Sequence, residues 1–286
     1  MHLKIEFALT RVRQWLGALS RSSGRYRGGG TGGLGIDLSG QIAVVTGGSG
    51  ELGRVIVRTL ARCGADVAIH YHENWRQAEA LAKELDEMGR HGLVVQADVT
   101  DFGAIVRMRD EIVASLGAPT IVVNNAVIQY QWTSVLAQDV EDYESQFRSC
   151  VMHNVFMAKA FVPAMVEARY GRVIAINTEC AMQNAPTQSA YVAGKRGMDG
   201  VLRVLAKEVG PYNVTVNQVA PGWTITEQAR RQGTQRQADY EAAVPLRRRG
   251  EDQEIANVVA FLASDLASYI TGAYVPVCGG NVMPAI

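Results

Sequence analysis

A doubly wound parallel α/β sheet, in a single domain with about seven strands and helices on both faces, is the fold this sequence predicts. Two observations carry the expectation. From Gln41 onward, short runs rich in Val and Ile alternate with longer segments of helical period. The runs are apolar on both faces, as strands covered by helices on each side must be. The first run also passes straight into a glycine-rich turn followed by a helical segment, which is how a nucleotide-binding α/β unit begins.

The expected strands are Ile42-Ala43-Val44-Val45, Val67-Ala68-Ile69, Leu93-Val94-Val95, Ile121-Val122-Val123, Val173-Ile174-Ala175-Ile176, Val214-Thr215-Val216 and Ala273-Tyr274-Val275. Helical segments are expected near 52–63, 75–88, 102–116, 142–169, 189–209 and 251–263. Alternation at these lengths argues crossover units in a parallel sheet. Residues 223–250 break the rhythm with a polar, Arg-rich stretch. An insertion after a late strand is where a substrate lid is expected.

The chain has 286 residues, 48% hydrophobic and 20% charged, with 28 basic and 28 acidic side chains. That balance provides no electrostatic footprint for nucleic acid. No uninterrupted apolar run reaches the roughly 18–20 residues of a membrane span. Cys63, Cys150, Cys180 and Cys278 are far apart and form no CxxC pair. They suggest neither a zinc cluster nor a disulfide framework, so no metal is expected and a reducing, cytoplasmic setting is. Residues 1–37 are basic and then rich in glycine. They are expected to form a flexible extension ahead of a domain spanning 38–286, although the first half has the spacing of a basic amphipathic helix, as in a presequence or a membrane-surface segment.

Thr46-Gly47-Gly48-Ser49-Gly50-Glu51-Leu52-Gly53 joins the first strand to its helix. Glycines let the backbone approach a pyrophosphate, and the helix N-terminus supplies N–H donors and positive dipole. Gly47, Ser49, Gly50 and Leu52 are therefore candidate cofactor residues. The second strand ends Ile69-His70-Tyr71-His72-Glu73-Asn74, without the acid that binds the ribose of NAD in many such proteins. Tyr71 and His72, with Arg76 nearby, favour NADP over NAD. Asp98 and Val99 follow the third strand, and Asp98 is expected either to accept from the adenine amino group or to cap the next helix. Asn124-Asn125-Ala126 ends the fourth strand, at the sheet edge where ligands bind.

Tyr191 and Lys195 lie four residues apart in a helical segment and project from one face. A free phenol has a pKa near 10. A cation within about 4–6 Å lowers it by roughly 1–3 units, making the pair a candidate acid/base for a carbonyl oxygen.

Together these motifs resemble the short-chain dehydrogenase/reductase family, over about residues 38–283. The matching stretches are Thr46 to Gly53, Asn124-Asn125-Ala126, Tyr191 to Lys195, Val216-Asn217-Gln218-Val219-Ala220-Pro221-Gly222, and the region from Pro245-Leu246 to Gly279-Gly280. Among its branches the 3-oxoacyl-carrier-protein reductases look closest, with sugar-alcohol and glucose dehydrogenases nearby. The resemblance implies a Rossmann fold and NAD(P)-dependent hydride transfer between nicotinamide and a carbonyl or secondary alcohol. It also implies a carbonyl or acyl-thioester substrate and a homotetramer or dimer through the segments 142–169 and 189–209. It makes Thr178 the hydroxyl that orients the substrate and Lys195 a ligand of the nicotinamide ribose. Pro221, Gly222 and Thr226 would lie beside the nicotinamide, Asn125 and Ala126 along the cofactor.

Three positions depart from the family pattern. Glu51 replaces a glycine of the turn. A carboxylate about 5 Å from a pyrophosphate costs roughly 3 kcal/mol at an effective dielectric of 20, so Glu51 is expected to point outward. Val127 replaces the glycine after Asn-Asn-Ala. Cys150 stands where the family has an asparagine that holds a relay water; Asn154, one turn on, is either its substitute or a polar residue of a packing helix. Glu179, beside Thr178, adds an ionisable group near the pocket. These departures leave a non-catalytic dinucleotide-binding scaffold as the competing reading, against which stand Thr178, Tyr191 and Lys195.

Overall fold

The computed structural model describes residues 35–284. The basic, glycine-rich extension lies outside the described residues up to position 34. The chain order is β1 (Ile42–Val45), α1 (Glu51–Arg62), β2 (Asp66–Tyr71), α2 (Trp75–Glu87), β3 (Gly92–Gln96), α3 (Phe102–Ser115), β4 (Ile121–Asn124), α4 (Val140–Ala168), β5 (Gly171–Ile176), α5 (Cys180–Gln183), α6 (Ser189–Val209), β6 (Val214–Pro221), β7 (Thr224–Ile225), α7 (Glu227–Gln232), α8 (Ala238–Ala243), β8 (Gly250–Glu251), α9 (Asp252–Ala263) and β9 (Tyr274–Val277).

Seven strands form one parallel sheet in the order β3-β2-β1-β4-β5-β6-β9. The order reverses between β1 and β4, which opens the crevice that ligands of such sheets occupy. Alternate residues of each strand serve opposite faces. Val45, Ile69, Val123 and Ile174 pack against Ile56, Leu60, Leu81, Val259 and Leu262 on one side. Val44, Ala68, Val122 and Val173 pack against Ile105, Met108, Met157, Phe161 and Leu202 on the other. Both clusters are buried, which explains the two-faced apolar strands.

α4 departs from the regular helix its periodicity predicts. Its turn Phe147–Met152 is a π-helix, a widening that such helices reserve for special positions. α4 has the length and composition of a membrane span, with 56% of its most apolar window buried inside the protein. Its apolar surface, through Met157, Phe161 and Met165, covers the sheet.

The segment 223–250 is not irregular throughout. It contains two six-residue helices, α7 and α8, and a two-stranded pairing of β7 with β8. Buried Arg249 organises it by donating to the carbonyls of Trp223, Thr224, Thr234 and Gln235 at 3.2, 2.7, 2.9 and 3.1 Å.

Candidate active site

The glycine turn is held by three neighbours. Gly47 has φ +63° and donates its N–H to Nδ1 of His70 at 2.9 Å. The opposite nitrogen of His70 lies 2.9 Å from the Ala97 carbonyl, so His70 is the neutral tautomer with its proton on Nε2. Burial lowers its pKa to about 4. Asn125 donates to the carbonyls of Thr46 and Gly47 at 3.0 and 3.2 Å, and Thr46 Oγ1 accepts from the N–H groups of Asn125 and Ala126. The Asn125 amide thus braces the turn. A Cβ on Gly53 would lie 2.0 Å from the Gly47 carbonyl oxygen, so only glycine lets α1 start this close.

The N-cap of α1 is Gly50, and no side chain caps it. The first-turn N–H groups of the helix are left for an outside acceptor. With the steric cradle at Gly47 and Gly53, this fits a dinucleotide pyrophosphate. Ser49 is buried in the turn, and Leu52 packs on the core. Glu51 points outward as expected: it pairs with Arg54 and accepts from the Gln228 N–H at 2.8 Å.

Beyond β2 and β3, a groove of about 630 Å³ is lined by Tyr71, His72 and Asp98 among others. Asp98 accepts from the N–H and hydroxyl of Thr100, both at 2.8 Å, which lowers its pKa against the opposing effect of burial. It does not cap α3. Asp101 does, accepting from Gly103 N–H at 2.7 Å. Val99 turns its side chain into the core.

The second cluster sits at the start of α6. Tyr191, Thr178, Glu179 and Gly222 line a cleft of about 460 Å³ walled by Tyr130, Trp132, Trp223 and Tyr240. Trp132 stacks on Tyr191 with ring centroids 5.9 Å apart. Tyr130 Oη accepts the Tyr191 backbone N–H at 2.8 Å, satisfying an orphan donor of the first helical turn. Lys195 lies buried behind the phenol, its Nζ 5.7 Å from the Tyr191 ring centroid and donating to the Ile176 carbonyl at 2.6 Å.

Burial raises the Tyr191 pKa against the opposing hydrogen bond of Thr178. Burial also lowers the Lys195 pKa, and one of its three ammonium N–H groups is donated to the Ile176 carbonyl, which leaves two for other partners. A raised pKa suits Tyr191 to giving a proton.

The relay position is rewired. Cys150 is buried in the π turn, and its carbonyl accepts from Asn154 Nδ2 at 2.6 Å. Asn154 Oδ1 accepts from Asn124 at 2.7 Å. Asn154 is thus a buried brace between α4 and β4, with neither end in the cleft. Val127 packs on the core beside Ala126. Pro221 anchors the cleft floor by accepting the Glu179 N–H at 2.9 Å. Thr226 is not brought to the Tyr191 cleft: its hydroxyl caps α7, accepting from Ala229 N–H at 3.3 Å, and it lines a separate hollow with Trp223 and Arg249.

His70, Tyr130, Trp132 and Tyr240 escaped the sequence reading. His70 immediately precedes Tyr71 at the end of an apolar strand, where a lone polar residue was a usable signal. The three aromatics occupy segments without a periodic pattern.

Donor backbone for an anion and a half-buried phenol backed by a buried ammonium, along one end of a parallel sheet, are what a dinucleotide-dependent oxidoreductase needs. A family model described as enoyl-(acyl carrier protein) reductase matches residues 49–281. The 3-oxoacyl-(acyl-carrier-protein) reductases FabG of Pseudomonas aeruginosa and Escherichia coli are each 37% identical to this chain, over 249 and 248 residues. Each match covers 87% of this chain and 100% of the relative. A solved structure of a blue fluorescent protein from a metagenomic library, in complex with NADPH, is similar with a TM-score of 0.78 and 32% identity. That match covers 86% of this chain and 100% of the other. The chain belongs to the short-chain dehydrogenase/reductase family and is an oxidoreductase of that family.

Proposed function

We propose that the protein is an NADPH-dependent ketone reductase of the 3-oxoacyl thioester type, acting in the cytoplasm as a homotetramer or dimer. The observation that carries this is the Tyr191 hydroxyl on the wall of the cleft, with Thr178 beside it and Lys195 behind. NADPH supplies the hydride when bound. Gly47, Ser49, Gly50 and Leu52 hold its pyrophosphate through the turn and the uncapped α1 N-terminus. Tyr71, His72, Asp98 and Val99 border its adenosine end, and the absence of an acid at Tyr71 leaves room for a 2′-phosphate. Asn125 and Ala126 keep the turn and the end of β4 in register, while Pro221 and Gly222 floor the nicotinamide end.

Thr178 Oγ1 orients the substrate carbonyl, and Tyr191 delivers its proton to the carbonyl oxygen as the carbon is reduced. Lys195 holds the nicotinamide ribose and steadies the phenolate that remains. Two relatives named as 3-oxoacyl reductases support the substrate class, and a neighbour solved with NADPH supports the cofactor. Exposed Val140, Phe147 and Val204 on α4 and α6 support association through those helices.

The deciding experiment mixes the purified protein with NADPH and a panel of 3-oxoacyl thioesters, simple ketones and sugar or polyol substrates, following loss of nicotinamide absorbance. Oxidation of NADPH by the thioesters, abolished in Tyr191→Phe, is the expected result. NADPH binding with no turnover across the panel overturns the assignment.

A further inference from the structure

Glu179 is a buried carboxylate for which the reaction above has no use. It follows Thr178 directly and lies against the substrate cleft, which no lysine or arginine lines among the described residues. Burying a carboxylate without a cation is costly unless neutral donors replace water. Here they do. Glu179 Oε1 accepts from Tyr240 Oη at 2.9 Å, and Oε2 accepts from Asn281 Nδ2 at 3.0 Å. Burial pushes its pKa up while these two bonds pull it down.

The two donors come from distant segments. Tyr240 belongs to α8 of the 223–250 segment, and Asn281 follows β9. Tyr240 Oη also accepts the Trp223 N–H at 2.8 Å, and the two rings meet edge to face at 5.6 Å. A Cβ at position 222 would lie 2.5 Å from that hydroxyl, so Gly222 is what admits it. On the other side, Tyr274 Oη donates to the Thr178 carbonyl at 2.5 Å. One side chain therefore gathers the Thr178 loop, the lid segment and the C-terminal segment around the cleft.

We propose that Glu179 is a positioning residue that fastens the 223–250 segment and the segment after β9 over the substrate cleft, through Tyr240 and Asn281, and so holds Thr178 and the aromatic wall in place for the ketone. The substrate part of this rests on the reductase reading; the fastening itself does not. Each carboxylate oxygen holds one of the two segments, so Glu179 acts through geometry. The conservative variant tests this. In Glu179→Gln the amide oxygen still accepts from Tyr240, and Asn281 can turn its own amide to present an oxygen to the new NH₂. In Glu179→Ala both bonds are lost.

The test compares the wild type, Glu179→Ala, Glu179→Gln and Tyr240→Phe by limited trypsin digestion and by kinetics. Expected for Glu179→Ala and Tyr240→Phe are at least tenfold faster cleavage within 230–248, at Arg230, Arg231, Arg236, Arg247 or Arg248, and at least a tenfold higher KM for the ketone. Their NADPH affinity is unchanged and their kcat less affected than KM. Glu179→Gln stays within threefold of wild type in both readouts. Wild-type cleavage and KM in Tyr240→Phe overturn the proposal, as does a Glu179→Gln as impaired as Glu179→Ala. Should Glu179→Ala not fold, Tyr240→Phe carries the test alone. Digestion needs no substrate, so a wild type that reduces no ketone removes the reductase reading and leaves the fastening to be judged by cleavage.

Discussion

Glu51, at the start of α1, accepts the backbone N–H of Gln228 at 2.8 Å, across 177 residues of sequence. Arg54 joins the contact by pairing with both Glu51 and Glu227. The residue that replaces a turn glycine thus ties the nucleotide turn to the first turn of α7.

Replacing Glu51 with Ala removes this tie without disturbing Gly47, Gly50 or Gly53. NADPH affinity, followed by nicotinamide fluorescence, is expected to stay equal or tighten by a few fold, because a negative charge near the pyrophosphate site is lost. Helix stability falls by about 0.3–1 kcal/mol from the lost acidic first-turn residue. A large loss of affinity would place Glu51 in contact with the cofactor.

Tyr191 ionises above the ordinary tyrosine range because burial dominates its surroundings. In the cofactor-free protein, the alkaline difference spectrum of wild type against Tyr191→Phe is expected to show one phenol titrating above pH ~10. Reduction should show no loss from Tyr191 deprotonation across neutral pH. Alcohol oxidation, which needs the phenolate, should rise toward alkaline pH. Tyr191→Phe is expected to keep its fold and NADPH affinity while turnover falls by about 10²–10⁴. A neutral or acidic midpoint for this phenol would contradict the proton-donor role.

His70 links the nucleotide turn to acid stability. Its folded pKa is lowered to about 4 by burial, against about 6.5 in the unfolded chain. The unfolded state therefore binds the extra proton first. The stabilisation is present in full above pH ~6.5 and is lost as pH falls toward about 4, by roughly 3 kcal/mol. His153, lowered to about 3 by complete burial, acts in the same direction. Urea denaturation at pH 7.5 and pH 5 should show a smaller difference in His70→Gln than in wild type. An unchanged difference would mean that His70 is protonated in the fold.

Gly194 lies between Tyr191 and Lys195 on the face of α6 that meets the π turn. An added Cβ would sit 2.8 Å from the Gln146 carbonyl oxygen and 3.2 Å from the Cys150 Cβ. Gly194→Ala is expected to cost about 1–3 kcal/mol in thermal or chemical denaturation, despite the higher helix propensity of alanine. It should also lower kcat by displacing the phenol. A stabilised, fully active variant would show that the two helices have slack.

The seven strands and the long helices were legible because the signal is local. Val44 and Val45 must both be apolar to cover opposite faces, and that is visible in the residues themselves. The Tyr191–Lys195 pair was legible for the same reason, since four residues return to one helix face. The π turn was not, because Phe147 to Met152 keeps a composition that suits a regular helix. Nor were the short elements of 223–250, whose flanking loops are gathered by Arg249 from residues 14–26 positions away. Nor were the backbone bonds of Thr226 and Asn125 legible. Each has a side chain able to reach a ligand, and in the fold each is already bonded to backbone.

The amino-acid sequence alone determined the sheet, its crossover helices, the place of the glycine turn and the shared face of Tyr191 and Lys195, because periodicity and spacing along the chain decide which side chains share a face. Only the tertiary structure decided how those groups behave. Burial raises Tyr191 and ties Lys195 to the Ile176 carbonyl, and Glu51 and Glu179 find partners 177 and 61 or 102 residues away. A pKa or a fastening contact is a sum over neighbours in space, and those neighbours exist only once distant segments have packed together.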